Sequence, residues 1–133
     1  MRIMLDTNVM ISIVVFNSKT LGKMLTDICE KHTLVLSSYI LEELANVIKI
    51  KFPDKAAAID DILSNMPFKT ELTPLVLPEH DFFTIRDAAD EKILYSAISS
   101  NADVLITGDK DFENIGIERP EILTPIGFIE KYS

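Results

Sequence analysis

The sequence has a single cysteine, four glycines, no tryptophan and no long apolar run. Cys29 alone permits neither an internal disulfide nor a zinc cluster, which favours a reducing compartment. The longest apolar stretch, residues 9–16, is interrupted by Ser12 and is too short to span a bilayer. The amino-terminal residues do not resemble a signal peptide. We therefore expect a cytoplasmic protein.

The length of 133 residues predicts one domain, residues 1–133, with enough chain to bury a core. Hydrophobic residues make up 47% and charged residues 26%, which is typical of a globular protein. The net charge of −8 argues against a broad basic surface for nucleic acid. It does not exclude a nucleic-acid enzyme, because carboxylates can hold divalent cations that in turn contact phosphate.

Short apolar strands alternate with helices along the chain. We expect strands at 2–5, 33–37, 103–107 and 121–124, and an extended segment at 70–77 that Pro74 restricts to an edge or bulged strand. Helices are expected to begin after residues 6–8, at Ser18, at Ser38, at Pro53, at Asp87 and at Pro125, and Phe112 is expected in a short turn or helix. This alternation predicts a parallel sheet covered on both faces, with ligands at the carboxyl ends of its strands.

Acidic residues follow two of these predicted strands. Asp6 comes after the first strand, and Asp109 and Asp111 come after the strand at 103–107. Each has a structural explanation as well, because aspartate is favoured at helix N-caps and Gly-Asp sequences are common in turns. The position of Asp6 and Asp109 at the same edge of the sheet nevertheless makes them candidates for a site.

Two further acids lie near the first turns of predicted helices. At about 100° per residue, Glu43 lies at the border of the apolar stripe formed by residues 40, 41, 44, 47 and 48, whereas Glu42 points to solvent. Asp90 is in line with the stripe of residues 93, 94, 97 and 98, and burying an acid there is costly without compensation. A capping box between Asp87 and Asp90 is the structural alternative.

Acids from four separate segments would repel one another if they met without a cation. Carboxylate oxygens suit hard divalent ions, and Mg²⁺ or Mn²⁺ in such a site can activate water and stabilise charge on a phosphodiester. We therefore expect a divalent metal site. The two histidines show no ligand spacing.

Four motifs of the sequence together resemble the PIN domain family. They are the Ile3–Asn8 segment with its Asp-Thr-Asn signature, Ser38–Leu44 with its acid before a leucine, Arg86–Leu94, and Leu105–Phe112 with its T-x-D-x-D-F pattern. The order and spacing of these motifs cover essentially the whole chain. The last two also resemble a prokaryotic branch of VapC-like toxins from toxin–antitoxin pairs.

The resemblance implies a three-layer α/β/α Rossmann-like fold with a mainly parallel sheet, and a metal-dependent ribonuclease activity. It implies that Asp6, Glu43, Asp90 and Asp109 are catalytic metal-site acids that use Mg²⁺ or Mn²⁺. Asp111 is implied as an auxiliary metal acid. Asn8 and Thr107 are implied to orient carboxylates or water through hydrogen bonds.

The resulting hypothesis is an endoribonuclease in which activated water attacks phosphorus in line and leaves a 3′-hydroxyl and a 5′-phosphate. Apolar residues on the early helices suggest a homodimer and an antitoxin peptide laid across a groove. The substrate-binding residues are not identified by the sequence. The plausible phosphate contacts are Lys49, Lys51, Arg86, Lys92 and Lys110.

Three other functions fit parts of the pattern. A haloacid-dehalogenase-like phosphatase would use Asp6 as nucleophile but expects a second acid where Asn8 stands, and it is usually longer. A receiver domain needs an acidic pair at the first strand, and here Asp6 is alone. A PIN-fold interaction module without significant catalysis is the third alternative, which the presence of all four acids disfavours.

Overall fold

The computed structural model describes residues 1–73, 88–112 and 115–132. Its strands form one five-stranded sheet in the order β3-β2-β1-β4-β5, in which every neighbouring pair is parallel. The strands are β1 Arg2–Leu5, β2 Thr33–Ser37, β3 Lys69–Glu71, β4 Val104–Ile106 and β5 Glu121–Leu123. The helices are α1 Thr7–Val14, α2 Lys19–Lys31, α3 Ser38–Lys51, α4 Ala56–Asn65, α5 Ala88–Ser99 and α6 Pro125–Tyr132. Short 3₁₀ helices occupy Pro53–Lys55 and Lys110–Phe112.

The predicted parallel α/β architecture is confirmed, and most element boundaries agree to within a residue or two. β3 is an edge strand, as Pro74 suggested, but it covers only Lys69–Glu71 within the described residues. Residues 74–77, and Asp87 with its predicted capping role, lie outside the described residues.

The predicted cap of α3 was wrong by one residue. Ser37, which keeps the extended backbone of β2, accepts a hydrogen bond from the Ile40 amide at 3.1 Å. Ser38 is already helical, and its hydroxyl instead accepts the Thr73 amide at 2.9 Å. The strand therefore passes into the helix without a loop, which fixes the position of the first turns of α3 relative to the sheet.

Alternating side chains of the three central strands supply two separate cores, one on each face of the sheet. One core contains Ile3, Leu5, Leu34, Leu36, Val104 and Ile106, packed against α1, α2, α4, α6 and the later turns of α3. The other contains Met4, Val35 and Leu105, packed against α5, Ile40 and Phe112. Because both faces of these strands are covered, their sequences are apolar throughout rather than alternating. The result is a three-layer α/β/α sandwich.

Within the described ranges, the chain has no helix that is both long enough and apolar enough to cross a membrane.

Asp103 accepts hydrogen bonds at the edge of the sheet where β1 and β4 begin, which is opposite to the edge that carries the predicted site. Its Oδ2 accepts the Arg2 amide at 2.7 Å, and its Oδ1 accepts a hydrogen bond from Arg119 Nη2 at 2.8 Å. The Arg2 guanidinium donates to the Ser100 carbonyl at 3.0 Å and to Glu71 at 2.8 Å. These contacts hold the starts of β1 and β4 beside each other and join the start of β1 to the last residue of β3.

Asp103→Asn is expected to destabilise the fold by about 1 kcal/mol, because an asparagine amide would place an N–H group opposite one of two existing donors. Urea unfolding followed by circular dichroism measures the change. Glu118→Gln, at an exposed position in the same region, serves as the charge-matched control. An Asp103→Asn midpoint equal to that of the control would show that this network contributes nothing to stability.

Candidate active site

The candidate site lies where the carboxyl ends of β1 and β4 meet. These strands are neighbours, with Leu5 opposite Ile106, and the Asp6 amide donates to the Ile106 carbonyl at 3.1 Å. β1 is the central strand. It has β2 and then β3 on one side, and β4 and then β5 on the other, so the direction in which strands are added reverses at β1. Open parallel sheets bind ligands at such a reversal of strand order. Asp6 and Asp109, which were expected at the same edge of the sheet, follow strands that are direct neighbours.

Asp6 is the most deeply buried acid described at this edge, with 3% of its surface exposed. It caps α1, since its Oδ1 accepts the Val9 amide at 2.9 Å. Its Oδ2 accepts a short hydrogen bond from the Thr107 hydroxyl. The capping explanation is thus correct, and it coexists with a position at the centre of the site.

Burial raises the pKa of Asp6 above its ordinary value of 3.8, because removal from water disfavours the carboxylate. The hydrogen bonds from Thr107 and Val9 oppose this change in pKa, while the negative charges of Asp109 and Glu43 reinforce it. Asp6 therefore carries a charge that its surroundings compensate only partly.

Thr107 connects the two strand ends. Its buried hydroxyl donates to Asp6 and accepts the Asp109 amide at 3.1 Å. Asp109 Oδ1 then accepts the Asp111 amide at 2.9 Å, which shapes the turn into the second 3₁₀ helix. The orienting part that the resemblance implied for Thr107 has a direct geometric basis in these contacts.

Three of the predicted acids form a compact cluster. Asp90, Asp109 and Asp111 each place a carboxylate oxygen so that these atoms all lie within 4.8 Å of one another. Asp90 is buried, with 9% exposed, and it is the third residue of α5, whereas Asp109 and Asp111 are half-buried. Asp111, expected to be auxiliary, thus lies in the cluster itself, while Asp6 is linked to it through Thr107.

Glu43 lies near the cluster but is held by a different partner. The Tyr39 hydroxyl donates to Glu43 Oε2 at 2.9 Å, across one turn of α3. Glu43 is half-buried and Glu42 is exposed, as the apolar stripe predicted. The negative charge of Glu43 makes a small contribution to the raised pKa of Asp6, and Glu43 is not one of the three clustered acids.

The sequence reasoning missed two polar side chains here. The i, i+4 spacing of Tyr39 and Glu43 on α3 was the available signal for the first. The second is Thr7, whose Oγ1 is buried without a hydrogen-bond partner among the described residues. Asn8 is exposed in the first turn of α1, and its predicted orienting role stays a prediction. Lys92 and Lys51 border a groove beside Glu43, Lys110 is exposed in the 3₁₀ helix, and Arg86 lies outside the described residues.

The donor set fits a hard divalent cation. All the clustered ligand atoms are carboxylate oxygens, which Mg²⁺ and Mn²⁺ prefer over sulfur or imidazole donors. Burial of Asp90, and of Asp6 with a raised pKa, means that negative charge collects where water solvates it poorly. A divalent cation held by these carboxylates would offset that cost.

Comparison with known proteins identifies the fold and the family. A family model described as "PIN domain" matches residues 2–111. No significant match was found among curated proteins. Among solved structures, the chain is similar to one in the crystal structure of VapBC2 from Rickettsia felis bound to a DNA fragment from their promoter. That similarity has a TM-score of 0.69 at 19% sequence identity and covers 92% of this chain and 97% of the other.

The matched residues 2–111 include every acid of the candidate site, from Asp6 after β1 to Asp111 after β4. The structural similarity supports the same architecture at low sequence identity. The chain therefore belongs to the PIN domain family.

Proposed function

We propose that this chain is a metal-dependent endoribonuclease that hydrolyses RNA phosphodiester bonds. The observation that carries the proposal is the position of the buried Asp6 carboxylate, which Thr107 links to Asp109 in the Asp90–Asp109–Asp111 cluster. Nucleases of the PIN family generally use divalent metals and acids at equivalent motif positions. The order of the acids along this chain agrees with that pattern.

In this proposal, Asp90, Asp109 and Asp111 hold the Mg²⁺ or Mn²⁺ ion, with Asp6 and Glu43 completing the acidic site. When bound, such an ion supplies charge for the phosphate oxygens and lowers the pKa of water. Thr107 orients the Asp6 carboxylate, and Tyr39 orients that of Glu43. Neither residue requires a change in protonation to do so.

We further propose that the chain is the toxin of a toxin–antitoxin pair and acts in the cytoplasm as a single PIN domain. The similar solved structure contains VapBC2 bound to promoter DNA, which supports an antitoxin protein as partner. The proposal also includes a homodimer, for which the exposed apolar side chains of Phe16, Ile62 and Ile126 are candidate contact residues.

The first test is RNA cleavage by the purified chain with Mg²⁺ or Mn²⁺. We expect metal-dependent products that carry 5′-phosphates and 3′-hydroxyls, and a loss of about 100-fold or more in Asp6→Asn and Asp109→Asn, because each variant removes a charge from the site. EDTA should stop cleavage by the wild-type chain. Mapping of the product ends measures the chemistry.

Asp54→Asn, which neutralises an exposed acid in the Pro53–Lys55 3₁₀ helix, is the matched control and should cleave normally. Products ending in 2′,3′-cyclic phosphates would overturn the hydrolytic route. Absence of cleavage by folded protein that is free of copurified antitoxin would instead favour an interaction module.

Asp6→Asn should also stabilise the metal-free protein at neutral pH, by about 1 kcal/mol. The raised pKa of Asp6 means that ionising it costs folding free energy. This cost is absent below the ordinary pKa of 3.8, appears as the pH rises through it, and is complete above the raised folded pKa. The difference in thermal midpoint between the variant and wild type should therefore grow with pH from 4 upward.

Asn retains an oxygen for the Val9 amide, so the cap of α1 is preserved. Its new N–H faces the Thr107 hydroxyl, which can turn to accept it, whereas the amide and guanidinium donors at Asp103 cannot accept. Added Mg²⁺ should stabilise wild type more than Asp6→Asn. A variant that is less stable than wild type across this pH range would contradict the charge-based account.

Tyr39→Phe tests the orientation of Glu43. The variant keeps the ring but loses the hydroxyl donated to Glu43, so we expect kcat to fall about 10-fold while the Kd for RNA stays unchanged. Tyr95→Phe, on α5, is the hydroxyl-matched control. Equal kcat values for Tyr39→Phe and wild type would exclude a positioning role for the hydroxyl.

A further inference from the structure

A groove beside Glu43 has the features of a binding site for an RNA strand. It has a volume of about 370 Å³ and lies between α3 and α5, which pack against each other. Lys92 lines it from α5, and seven residues line it from α3: Tyr39, Glu42, Glu43, Asn46, Val47, Ile50 and Lys51. Glu43, a candidate metal-site acid, is thus one of the lining residues of the groove.

Tyr39 connects the groove's cation to the acidic site. Lys92 Nζ lies 5.3 Å from the centroid of the Tyr39 ring, within the range of a cation–π contact, and the hydroxyl of the same ring contacts Glu43. Lys92 belongs to an exposed helical position, yet the ring holds its ammonium beside the groove. The charge is therefore placed close to the site rather than dispersed in solvent.

The spacing of the two walls is fixed by hydrogen bonds. The Thr73 hydroxyl accepts the Tyr39 amide at 3.1 Å and also the Ser96 hydroxyl at 2.9 Å, so it joins α3 to α5. Ser96 is buried one turn after Lys92. Because the two helices are tied in this way, the groove is a preformed feature of the fold.

The distribution of charge distinguishes this groove from the other described cavity that contains a site acid. That second cavity has no lysine or arginine among its lining residues, which are Thr107, Gly108, Asp109, Phe112, Ile115, Gly116, Ile117, Pro120, Ile122, Leu123 and Thr124. The groove between α3 and α5 has two lysines, Lys51 and Lys92, beside its two acids, Glu42 and Glu43. An RNA strand that reaches an acidic centre needs nearby cations for its phosphates, and these two lysines provide them.

Three other side chains of the groove, Asn46, Val47 and Ile50, can contact unpaired bases. Asn46 offers both a hydrogen-bond donor and an acceptor for a base edge. Val47 and Ile50, the latter 77% exposed, form an apolar surface next to the lysines. Base edges and base faces are available to side chains mainly in single-stranded RNA.

We propose that the groove between α3 and α5 binds single-stranded RNA next to the scissile phosphate, with Lys92 and Lys51 contacting its phosphates. This inference rests on the proposed ribonuclease function and assigns it a substrate path. Glu43, at the edge of the groove, is the point at which the strand meets the acidic site.

The test measures RNA binding separately from cleavage. A fluorescent, unstructured RNA of about 16 nucleotides is titrated in an Asp6→Asn background, which avoids cleavage, at salt concentrations from about 50 to 200 mM. We expect Lys92→Met and Lys51→Met each to weaken binding about 3- to 10-fold, and each to reduce the slope of log K against log salt by about 0.7. Lys92→Arg should bind normally.

Lys23→Met, which removes an exposed charge on α2, is the matched control and should bind like its parent. If both groove variants bind like the control while the chain with intact Asp6 cleaves RNA, the substrate path is wrong and the nuclease stands. If the intact chain neither binds nor cleaves RNA, the proposed function fails and this inference fails with it.

Sedimentation of the groove variants tests whether a second copy of the chain, rather than RNA, occupies the groove. A change in oligomeric mass, with the RNA affinity of each protomer unchanged, would show that the groove is an interface between copies of the chain and would overturn the proposal. An unchanged mass together with weakened, less salt-dependent RNA binding supports it.

Discussion

The Asp6 carboxylate is buried, and the arrangement of much of the site depends on the two hydrogen bonds that it accepts. Asp6 receives one hydrogen bond from its own helix and one from the end of a neighbouring strand. The first fixes the start of α1, and the second fixes Thr107 and, through its hydroxyl, the turn that carries Asp109. Burying the Asp6 carboxylate in this way costs folding free energy, since its raised pKa disfavours the charged form.

The parallel sheet explains why these groups meet. Adjacent parallel strands end at the same edge, so residues following β1 and β4 become neighbours although they are 101 positions apart. The two cores hold the strands from both faces, and the Asp103 network holds their other ends. The site therefore lies at the edge of a well-packed sheet. Its acids lie in the helices and turns that connect the strands.

The sequence was sufficient for what depends on local pattern. Apolar runs predicted the strands, helical periodicity separated Glu43 from Glu42, and the strand-end positions of Asp6 and Asp109 predicted their meeting. It was not sufficient for contacts that depend on tertiary placement. The Tyr39 ring under Lys92 requires the spacing of α3 and α5, and the position of Asp111 within the cluster requires the 3₁₀ turn after β4. The one-residue error at the cap of α3 arose because Ser37 and Ser38 are both suitable caps, and only the end of β2 decides between them.

The separation of Asp6 and Thr107 along the chain also determines when the site can exist. During synthesis Asp6 is made 101 residues before its partner across the sheet, Thr107, and the acids at 109 and 111 come later still. Contacts of such long range form late in folding. A nascent chain that is still short of β4 therefore has no assembled acidic centre, and the candidate site forms only after the segment that carries Thr107 and Asp109 has been made.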